Sequence, residues 1–368
     1  MLERYGHGGD LWTAAESFGR PKEQFIDFSS NMNPFGPPTV VKEIFQHHWL
    51  DIAGYPDPIA RELRHKLSQK YKIPMESILV GNGAAELIDL AVRVLQPKVT
   101  GILRPSFSEY EDAVHKVGGQ IYDIPTDVDQ AFQLQGEQAE LALQKVDLLF
   151  LGHPNNPTGR LISFLLLKQI IAVGTSMILD EAFIDFVREE ERFSYIREAA
   201  SSRNLYVIRS MTKFYAIAGI RLGFIVAHPE AIEKMRRLQV PWSVNIMAQR
   251  IGAAVLDDHQ YAARTKHWLA EERPWLSDAL EKIGLLVYPS ETNYLLFSFP
   301  RVKGLEVQVV QQHLGKLGIL IRDASLFKGL DSTFCRVAVR FRGDNAKLVL
   351  ALKQVIDECQ TNSGGEVS

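Results

Sequence analysis

The sequence predicts an α/β protein, with a large domain built on a mainly parallel sheet and a smaller α+β domain. Short apolar runs alternate with helix-length segments between residues 78 and 226. Strands that are apolar on both faces and joined by helical crossovers are typical of buried parallel sheets. After Pro229 the pattern changes to long helices and then to short strands. The 368 residues are also enough for two domains.

The first part of the chain is predicted to form an arm and then the large domain. The arm, residues 1–38, is irregular and rich in Gly, Pro and Asn. We expect it to pack with the small domain, because both flank the large domain in sequence. The large domain is predicted over residues 39–240. Its strands are predicted at Ile78–Val80, Val99–Leu103, Ile121–Ile124, Leu148–Leu151, Met177–Leu179, Leu205–Ile208 and Leu222–Val226.

The second part of the chain is predicted to hold a helical connection, residues 241–280, and a small C-terminal domain, residues 281–360. Pro274 predicts a break or kink, because proline removes a helical hydrogen-bond donor. Residues 361–368 are polar and Gly-rich, which predicts a frayed tail. The small domain is predicted to contain strands at Leu285–Val287, Tyr294–Phe299, Ile319–Ile321 and Cys335–Val339 and a closing helix from Asp344 to about Cys359.

Composition argues against several classes of protein. The formal net charge is −3, from 41 basic and 44 acidic residues, which gives no support for a nucleic-acid-binding surface. No apolar run approaches the ~20 residues that span a bilayer, and the first residues lack the apolar core of a signal peptide. Two cysteines encode no disulfide framework, so we expect a cytoplasmic protein. No metal ligands are predicted.

A lysine after a buried strand is the first candidate functional residue. Lys213 ends the segment Ser210-Met211-Thr212-Lys213, and Arg221 follows it. Ligands gather at the carboxyl ends of parallel strands, and a lysine with a lowered pKa can form an imine there. Ser210 and Arg221 can both contact a phosphate. The alternative is a solvated surface lysine, which the apolar character of residues 214–218 disfavours.

Polar residues follow two further predicted strands. Asp180, in Leu179-Asp180-Glu181-Ala182-Phe183, could pair with a protonated pyridine nitrogen and keep that ring cationic. The alternative is a helix N-cap. Asn156, in Asn155-Asn156-Pro157-Thr158-Gly159, could donate its amide to a ring oxygen of the same cofactor. The alternative is an ordinary turn, since Pro and Gly favour one.

Two earlier strand ends complete the pattern. Gly83, Ala84 and Ala85 lie between a strand and a helix, where free backbone N–H groups suit a phosphate dianion. Phe107 follows the next strand and could stack on a flat ring. Each feature alone has a structural alternative, an unliganded turn or a core aromatic. The agreement of all five strand ends favours one cofactor site.

In this order the motifs resemble the fold-type I aminotransferase superfamily, named for aspartate aminotransferase, over nearly the whole chain. The resemblance implies that fold and the cofactor pyridoxal 5'-phosphate (PLP), held as a Schiff base by Lys213. It further implies that Asp180 pairs with the pyridine nitrogen, that Asn156 meets the ring oxygen and that Arg221 grips the phosphate. Tyr55, in Tyr55-Pro56-Asp57, would reach the partner subunit's phosphate, which implies a homodimer with shared active sites.

Within this superfamily the segments His7 to Asp10 and Asp27 to Pro34 look like the threonine-phosphate decarboxylase branch. That resemblance implies a PLP-dependent lyase, which converts O-phospho-L-threonine into (R)-1-amino-2-propanol phosphate for cobalamin biosynthesis. Phe183 departs from the aminotransferases, which have a tyrosine at this position. The residues implied to contact the small phosphorylated substrate are His7, Gly8, Asn31, Asn156, Arg322 and Arg336.

Two alternatives remain open at this point. The first is a histidinol-phosphate aminotransferase, which would transfer the amino group to 2-oxoglutarate. Phe183 does not by itself exclude this reaction. The second is a non-catalytic regulator that binds PLP. Such regulators usually carry an added DNA-binding segment or have lost the lysine, whereas this chain has Lys213 and no additional basic domain.

Overall fold

The computed structural model describes residues 8–301 and 305–364. The chain divides into two compact units. The larger unit comprises residues 35–156 and 160–266. The smaller unit comprises residues 157–159 and 267–368 and the chain before Phe35, so far as these residues are described.

The helices and strands follow one another as the alternating sequence pattern predicts. The helices are α1 (Leu11–Phe18), α2 (Thr39–His48), α3 (Arg61–Tyr71), α4 (Ala84–Leu95), α5 (Glu109–Lys116), α6 (Gly136–Leu143), α7 (Phe164–Val173), α8 (Glu190–Phe193), α9 (Ile196–Ser201), α10 (Pro229–Leu238), α11 (Ile246–Val255), α12 (His259–Lys282), α13 (Val307–Lys316) and α14 (Arg342–Gly364). The strands are β1 (Ile26–Asp27), β2 (Ile78–Gly81), β3 (Val99–Arg104), β4 (Gln120–Pro125), β5 (Leu148–Gly152), β6 (Ser176–Asp180), β7 (Leu205–Ser210), β8 (Gly223–Val226), β9 (Leu286–Val287), β10 (Tyr294–Ser298), β11 (Ile319–Leu320), β12 (Arg322–Asp323) and β13 (Phe334–Ala338).

The larger unit is built on a seven-stranded sheet in the order β2-β8-β7-β6-β5-β3-β4. All neighbouring pairs are parallel except the two that β8 makes, with β2 and β7. The predicted α/β fold with a mainly parallel sheet is therefore confirmed. Strand β6 lies in the middle of this sheet, so Asp180 ends its central strand.

The inner strands of the sheet form because their side chains are buried on both faces, whereas the edge strand β4 is mostly exposed or half-buried. Every residue of β2, β5 and β7 is buried. Apolar burial contributes about 25 cal/mol per Å² of surface removed from water, and continuous apolar runs maximise it. One core cluster joins α4 to the sheet through Leu87, Leu90, Ala91, Phe150, Ile178 and Ile208.

Strand β8 runs antiparallel to its two neighbours, so its start lies beside the ends of β2 and β7. Gly223, its first residue, pairs with Gly81 at the end of β2 and with Ser210 at the end of β7. Gly223 has no room for a side chain, because a Cβ atom would lie 2.9 Å from the backbone nitrogen of Ala84. This close approach sets the start of α4 directly against the β7–β8 connection.

The smaller unit contains an antiparallel sheet in the order β12-β13-β10-β9. Strand β1, from the predicted N-terminal arm, pairs in parallel with β11. Within this unit Arg336 of β13 lies opposite Arg322 of β12 and opposite Leu296 of β10. The predicted small α+β domain is confirmed as a smaller antiparallel-sheet unit.

The structure differs from the sequence prediction at two points. A break or kink was predicted at Pro274, and helix α12 continues through this residue without a break. Trp268, Leu269, Leu276 and Leu280 are buried on both sides of the proline, and this packing offsets the lost hydrogen bond. Helix α14 ends at Gly364, so residues 361–364 continue the helix where a tail was predicted.

A buried ion pair braces the centre of the larger unit. The Arg209 Nε atom lies 2.9 Å from Glu181 Oε2, and both side chains are almost fully buried. Arg209 also donates to Asp185 and Ser194, and Glu181 accepts from Ser194 and from the backbone of Tyr195. Burial raises the pKa of Glu181, and Arg209 opposes this shift. The network ties β6 and β7 to the chain that follows β6.

Among the described residues, no helix is long and apolar enough to cross a membrane. In the same residues, no group of three or more His, Cys, Asp and Glu side chains is arranged to hold a metal ion.

We predict that Arg209→Met lowers the free energy of unfolding by about 3–5 kcal/mol, because it leaves the Glu181 carboxylate buried without its partner. Urea unfolding measures this difference. The matched control is Arg203→Met, which removes an exposed arginine paired with Glu230 and should change stability little. Equal stability of the two variants would contradict a bracing role for the buried pair.

Candidate active site

The start of α4 offers backbone N–H groups to a ligand. Gly83 precedes the helix with φ of +83°, a conformation that favours glycine. Among the described side chains, none caps this helix start. Ala85 is exposed and Ala84 half-buried, so their N–H groups are accessible at the positive end of the helix dipole. The predicted phosphate-binding turn therefore has the required local geometry.

Arg221 is held beside this turn. A Cβ atom on Gly83 would lie 2.6 Å from Arg221 Nη2, so only glycine leaves room for the guanidinium there. Arg221 itself has φ of +61°, an uncommon conformation for a residue with a side chain. Its Nη1 atom donates to the carbonyl of Ala218 at 3.4 Å, and the side chain stays exposed. The structure thus brings Gly83, Ala84 and Arg221 together as predicted.

The β7–β8 connection positions Ser210 and Lys213. The Ser210 and Thr212 hydroxyls are buried and lie 2.8 Å apart. The Lys213 carbonyl accepts from Ala216 N–H, and the Thr212 carbonyl accepts from Ile217 N–H. These bonds close a tight turn around Lys213, which is half-buried. The backbone of the candidate lysine is therefore fixed at the end of a buried strand.

Asp180 is the buried carboxylate at the end of the central strand. Its Oδ2 accepts from the Tyr110 hydroxyl at 2.6 Å, and its Oδ1 accepts from Ala182 N–H at 2.9 Å. Burial raises the pKa of Asp180, whereas these two hydrogen bonds and the charge of Lys213 lower it. Asp180 and Lys213 are thus close enough to interact electrostatically, as the cofactor hypothesis requires.

Tyr110 is a site residue that the sequence reasoning missed. It is buried on α5, stacks on Phe150 with 3.9 Å between ring centroids, and donates to Asp180. Phe107 lies edge-on to it at 5.7 Å and is half-buried. The only signal in the sequence was the spacing of three between the two aromatic residues, which places them on one face of a helical turn.

The loop after β5 is braced before it reaches Asn156. Asn155 donates from its amide to the Pro105 carbonyl at 3.0 Å, and its backbone N–H donates to Arg160. His153 accepts from Ile162 N–H at Nδ1 and contacts the Phe193 carbonyl through Nε2. Burial lowers the pKa of His153 to about 4, so this brace is neutral. Asn155 is buried, whereas Asn156, the candidate cofactor contact, is half-buried.

Phe183 is buried and begins a short 3₁₀ turn directly after the Asp180 segment. Its ring has no hydroxyl, so it cannot donate to a cofactor oxygen. Tyr55, in contrast, lies at the surface, 82% exposed, and packs on Trp242 with ring centroids 4.9 Å apart.

In the smaller unit Asp27 organises the predicted substrate-contacting arm. Its carboxylate accepts from the hydroxyls of Ser29 and Ser30, and the Ser29 hydroxyl accepts from Gly9 N–H. Gly8 lies so close to Ser29 that a Cβ atom would sit 2.3 Å from the Ser29 carbonyl oxygen. His7 lies outside the described residues.

Asn31 and the two candidate arginines also lie in the smaller unit. Asn31 is buried, and its Oδ1 atom has no hydrogen-bond partner among the described residues. Arg322 and Arg336 are buried cross-strand neighbours, and both guanidinium groups lie over the Phe327 ring. Arg336 also donates to the Ser29 carbonyl at 2.8 Å. The smaller unit therefore gathers Gly8, Asn31 and Arg336 around one arm segment.

The sequence matches the aminotransferase class I and II family over residues 23–354. It is 38% identical over 356 residues to the threonine-phosphate decarboxylase of Salmonella typhimurium, covering 95% of this chain and 96% of that protein. The chain belongs to the aminotransferase class I and II family. Its cofactor is PLP, and the predicted superfamily is confirmed.

Two solved structures show the same fold. The histidinol-phosphate aminotransferase of Clostridium acetobutylicum superposes with a TM-score of 0.84 at 30% identity, over 90% of this chain and 99% of that chain. The L-threonine-O-3-phosphate decarboxylase of Porphyromonas gingivalis superposes with a TM-score of 0.80 at 25% identity, with the same coverage. Both branches anticipated from the sequence thus share this architecture.

The larger unit has the donors and acceptors that PLP requires. The uncapped start of α4 and Arg221 suit a phosphate, since both supply positive charge and N–H donors. The buried carboxylate of Asp180 suits a pyridinium nitrogen, and Lys213 is near enough to Asp180 to stabilise its charge. These residues fit the cofactor.

We predict that Asp180→Asn changes the pH dependence of stability in the cofactor-free protein. Burial raises the pKa of Asp180 above its usual 3.8, so the folded state binds this proton more tightly than the unfolded state. That contribution to stability is present at low pH and is lost as the pH rises through the folded-state pKa. The wild-type protein should therefore lose unfolding free energy relative to Asp180→Asn as the pH rises above about 4.

Urea unfolding across this pH range measures the difference. Asp129→Asn, which removes an exposed carboxylate, is the matched control and should follow the wild type. Parallel stability curves for wild type and Asp180→Asn would show that the buried carboxyl has no raised pKa.

Proposed function

We propose that this enzyme is a PLP-dependent lyase that decarboxylates O-phospho-L-threonine to (R)-1-amino-2-propanol phosphate in cobalamin biosynthesis. The observation that carries the proposal is the pair of buried arginines, Arg322 and Arg336, on neighbouring strands. A guanidinium group can hold an anion through two parallel N–H donors, so two arginines on neighbouring strands can bind two anionic groups. Phosphothreonine carries two anionic groups, a carboxylate and a phosphate.

The proposal assigns the cofactor to residues of the larger unit. The N–H groups of Ala84 and Ala85, which follow Gly83, and the side chains of Ser210 and Arg221 would hold the phosphate. Phe107 would cover the ring, and Asn156 would donate to the ring oxygen. Asp180 would bind the pyridine nitrogen, and the Tyr110 hydroxyl donates to Asp180 and so opposes the effect of burial on its pKa. Lys213 would bind the cofactor covalently.

The reaction follows from how the substrate is oriented. When bound, PLP draws electrons from whichever bond at the substrate Cα stands perpendicular to its ring. Arg336 would hold the carboxylate, and Arg322 with Asn31 and the arm at Gly8 would hold the phosphate. In the proposed reaction the bond to the carboxylate is the one perpendicular to the ring. The bond between Cα and the carboxylate breaks, carbon dioxide leaves, and Lys213 delivers a proton to Cα. His7 and Asn156 are the remaining substrate contacts proposed from the resemblance.

Phe183 supports this choice of reaction. An aromatic hydroxyl at this position would donate to the ring oxygen, whereas the phenylalanine ring leaves that oxygen with fewer donors. The expected consequence is a more basic nitrogen between Lys213 and the cofactor, which the decarboxylase branch tolerates. The full-length identity of 38% to a threonine-phosphate decarboxylase points the same way.

Histidinol-phosphate aminotransfer is the second candidate, because a structure of that activity superposes with a TM-score of 0.84. Histidinol phosphate has a phosphate but no carboxylate at Cα. It therefore leaves one of the two buried arginines unused until 2-oxoglutarate binds. This difference makes the lyase the preferred proposal.

We also propose a homodimer in which Tyr55 contacts the phosphate bound by the partner subunit. Tyr55 is exposed and packs on Trp242. Other large apolar side chains close to Tyr55 or to Trp242 in sequence are also exposed. Exposed apolar surface of this extent marks association sites on soluble proteins. The other exposed residues are Phe45, Trp49, Leu50, Ile52 and Val240.

The activity prediction is release of carbon dioxide from O-phospho-L-threonine by the PLP-loaded enzyme. Arg322→Met should lower kcat/KM about 10- to 100-fold, because a hydrogen bond to a charged group contributes about 1.5–3 kcal/mol. Arg301→Met, at an exposed arginine of the same unit, is the matched control. Absence of carbon dioxide, together with 2-oxoglutarate-dependent turnover of histidinol phosphate, would replace the lyase by the aminotransferase.

The covalent role of Lys213 has a spectroscopic test. Lys213→Ala should lose the visible absorption band of lysine-bound PLP while PLP still binds through its phosphate contacts. Lys116→Ala, at an exposed lysine on α5, is the control and should keep the band. An unchanged visible spectrum in Lys213→Ala would show that another lysine binds the cofactor.

A further inference from the structure

Tyr261, on α12, places one hydroxyl between two backbone carbonyls. Its oxygen lies 2.8 Å from the Gly36 carbonyl oxygen and 3.2 Å from the Phe214 carbonyl oxygen. The ring is 3% exposed. A hydroxyl has one hydrogen, so these two acceptors share it. Phe214 directly follows Lys213, and the hydroxyl therefore holds the backbone next to the candidate cofactor lysine.

Two further hydrogen bonds close this turn from within. The carbonyls of Thr212 and Lys213 accept from Ile217 and Ala216 within the turn. Ala216 has φ of +51°, which an alanine adopts only when its surroundings enforce it. The turn is thus closed on one side by its own backbone and held on the other by a side chain distant in sequence.

Aromatic rings fix the direction of this contact. The Phe214 ring lies edge-on to Phe186 at 5.1 Å and to Tyr215 at 5.2 Å. The Tyr215 ring stacks on Tyr261 at 6.0 Å. A ring held by several neighbours has few alternative rotamers, so these contacts fix the direction in which the Tyr261 hydroxyl points.

The far side of the Tyr261 ring is braced as well. Phe35 lies edge-on to it at 6.5 Å, and the Arg264 guanidinium lies over both the Phe35 and the Tyr261 rings, at 4.2 and 5.6 Å. Phe35 and Gly36 begin the larger unit. Tyr261 thus joins the first residues of this unit to the Lys213 turn.

We propose that Tyr261 is a positioning residue for Lys213, which acts by holding the Phe214 carbonyl and thereby fixing where the lysine Nζ atom can reach. The inference rests on the proposed role of Lys213 and adds a residue to it. Tyr261 is assigned no contact with the cofactor or the substrate. Because proton delivery requires the donor within hydrogen-bond reach of Cα, a displacement of about 1 Å lowers the rate up to about 100-fold.

The test is Tyr261→Phe in the PLP-loaded enzyme, which removes the hydroxyl and keeps the ring. The variant should shift the pKa of the visible band of lysine-bound PLP and lower kcat at least about tenfold, with KM and PLP affinity nearly unchanged. The matched control is Tyr206→Phe, a buried tyrosine on β7 in the core against α4, which should leave band and kcat unchanged.

A second measurement does not need the loaded enzyme. In the cofactor-free protein, the amides of Ala216 and Ile217 should exchange hydrogen faster in Tyr261→Phe than in wild type, because the turn they close is no longer held. If the variant does not fold, 3-fluorotyrosine at position 261 keeps the ring and makes the hydroxyl a stronger donor. It should then slow exchange of the same amides.

The outcomes separate this inference from the proposed function. If the wild-type enzyme has no visible band that depends on Lys213, the proposed role of Lys213 fails. This result does not involve any change at Tyr261. If wild type has the band, an unshifted band with unchanged kcat in Tyr261→Phe overturns the positioning role. If kcat and PLP affinity fall together, in proportion to the fraction of unfolded protein, the positioning role is also overturned. Such a result would show that Tyr261 has a purely structural role.

Discussion

The balance between burial and the groups that oppose it at one carboxylate is the constraint on which this site depends. Asp180 ends the central strand, where burial favours its neutral form. Tyr110, the Ala182 N–H group and the charge of Lys213 oppose that effect from three directions. Tyr110 can do so only because Phe150 and Phe107 fix its ring. The packing of α5 on the sheet is therefore also part of the electrostatics of the site.

Glu181, next to Asp180 in the sequence, is also a buried carboxylate, but it has different partners. Glu181 follows the last residue of β6, and its side chain enters different surroundings from that of Asp180. Glu181 meets Arg209 and a closed set of donors, and its charge stabilises the fold. Asp180 keeps fewer protein partners and stays available to a cationic ring. Two adjacent acids in the sequence thus have different partners, and only Asp180 has a proposed role in the chemistry.

The sequence predicted what depends on local pattern and missed what depends on distant contacts. All seven strands of the large sheet were predicted within two residues at each end, and for the strands buried on both faces the reason is that they are continuous apolar runs. Tyr110 was missed since its partner Asp180 is 70 residues away. The break at Pro274 was predicted from local chemistry, and packing around the helix overrides it. The roles of Asn156 and Tyr55 stay predictions, because the bound groups that define them are small molecules or a second subunit.

The reversed direction of β8 has a consequence for how such a site can vary. A parallel β8 would require a crossover of a dozen or more residues that returns to the opposite edge of the sheet. Because β8 is antiparallel, the connection between Ser210 and Gly223 begins and ends at one edge, beside Gly81. Lys213 and Arg221 both lie on this single connection. Inserting or deleting a residue in it would move the lysine relative to the arginine, whereas every strand could keep its register. The number of residues between Lys213 and Arg221 therefore sets the distance between the two groups, so we expect this connection to tolerate length changes less well than the other connections of the sheet.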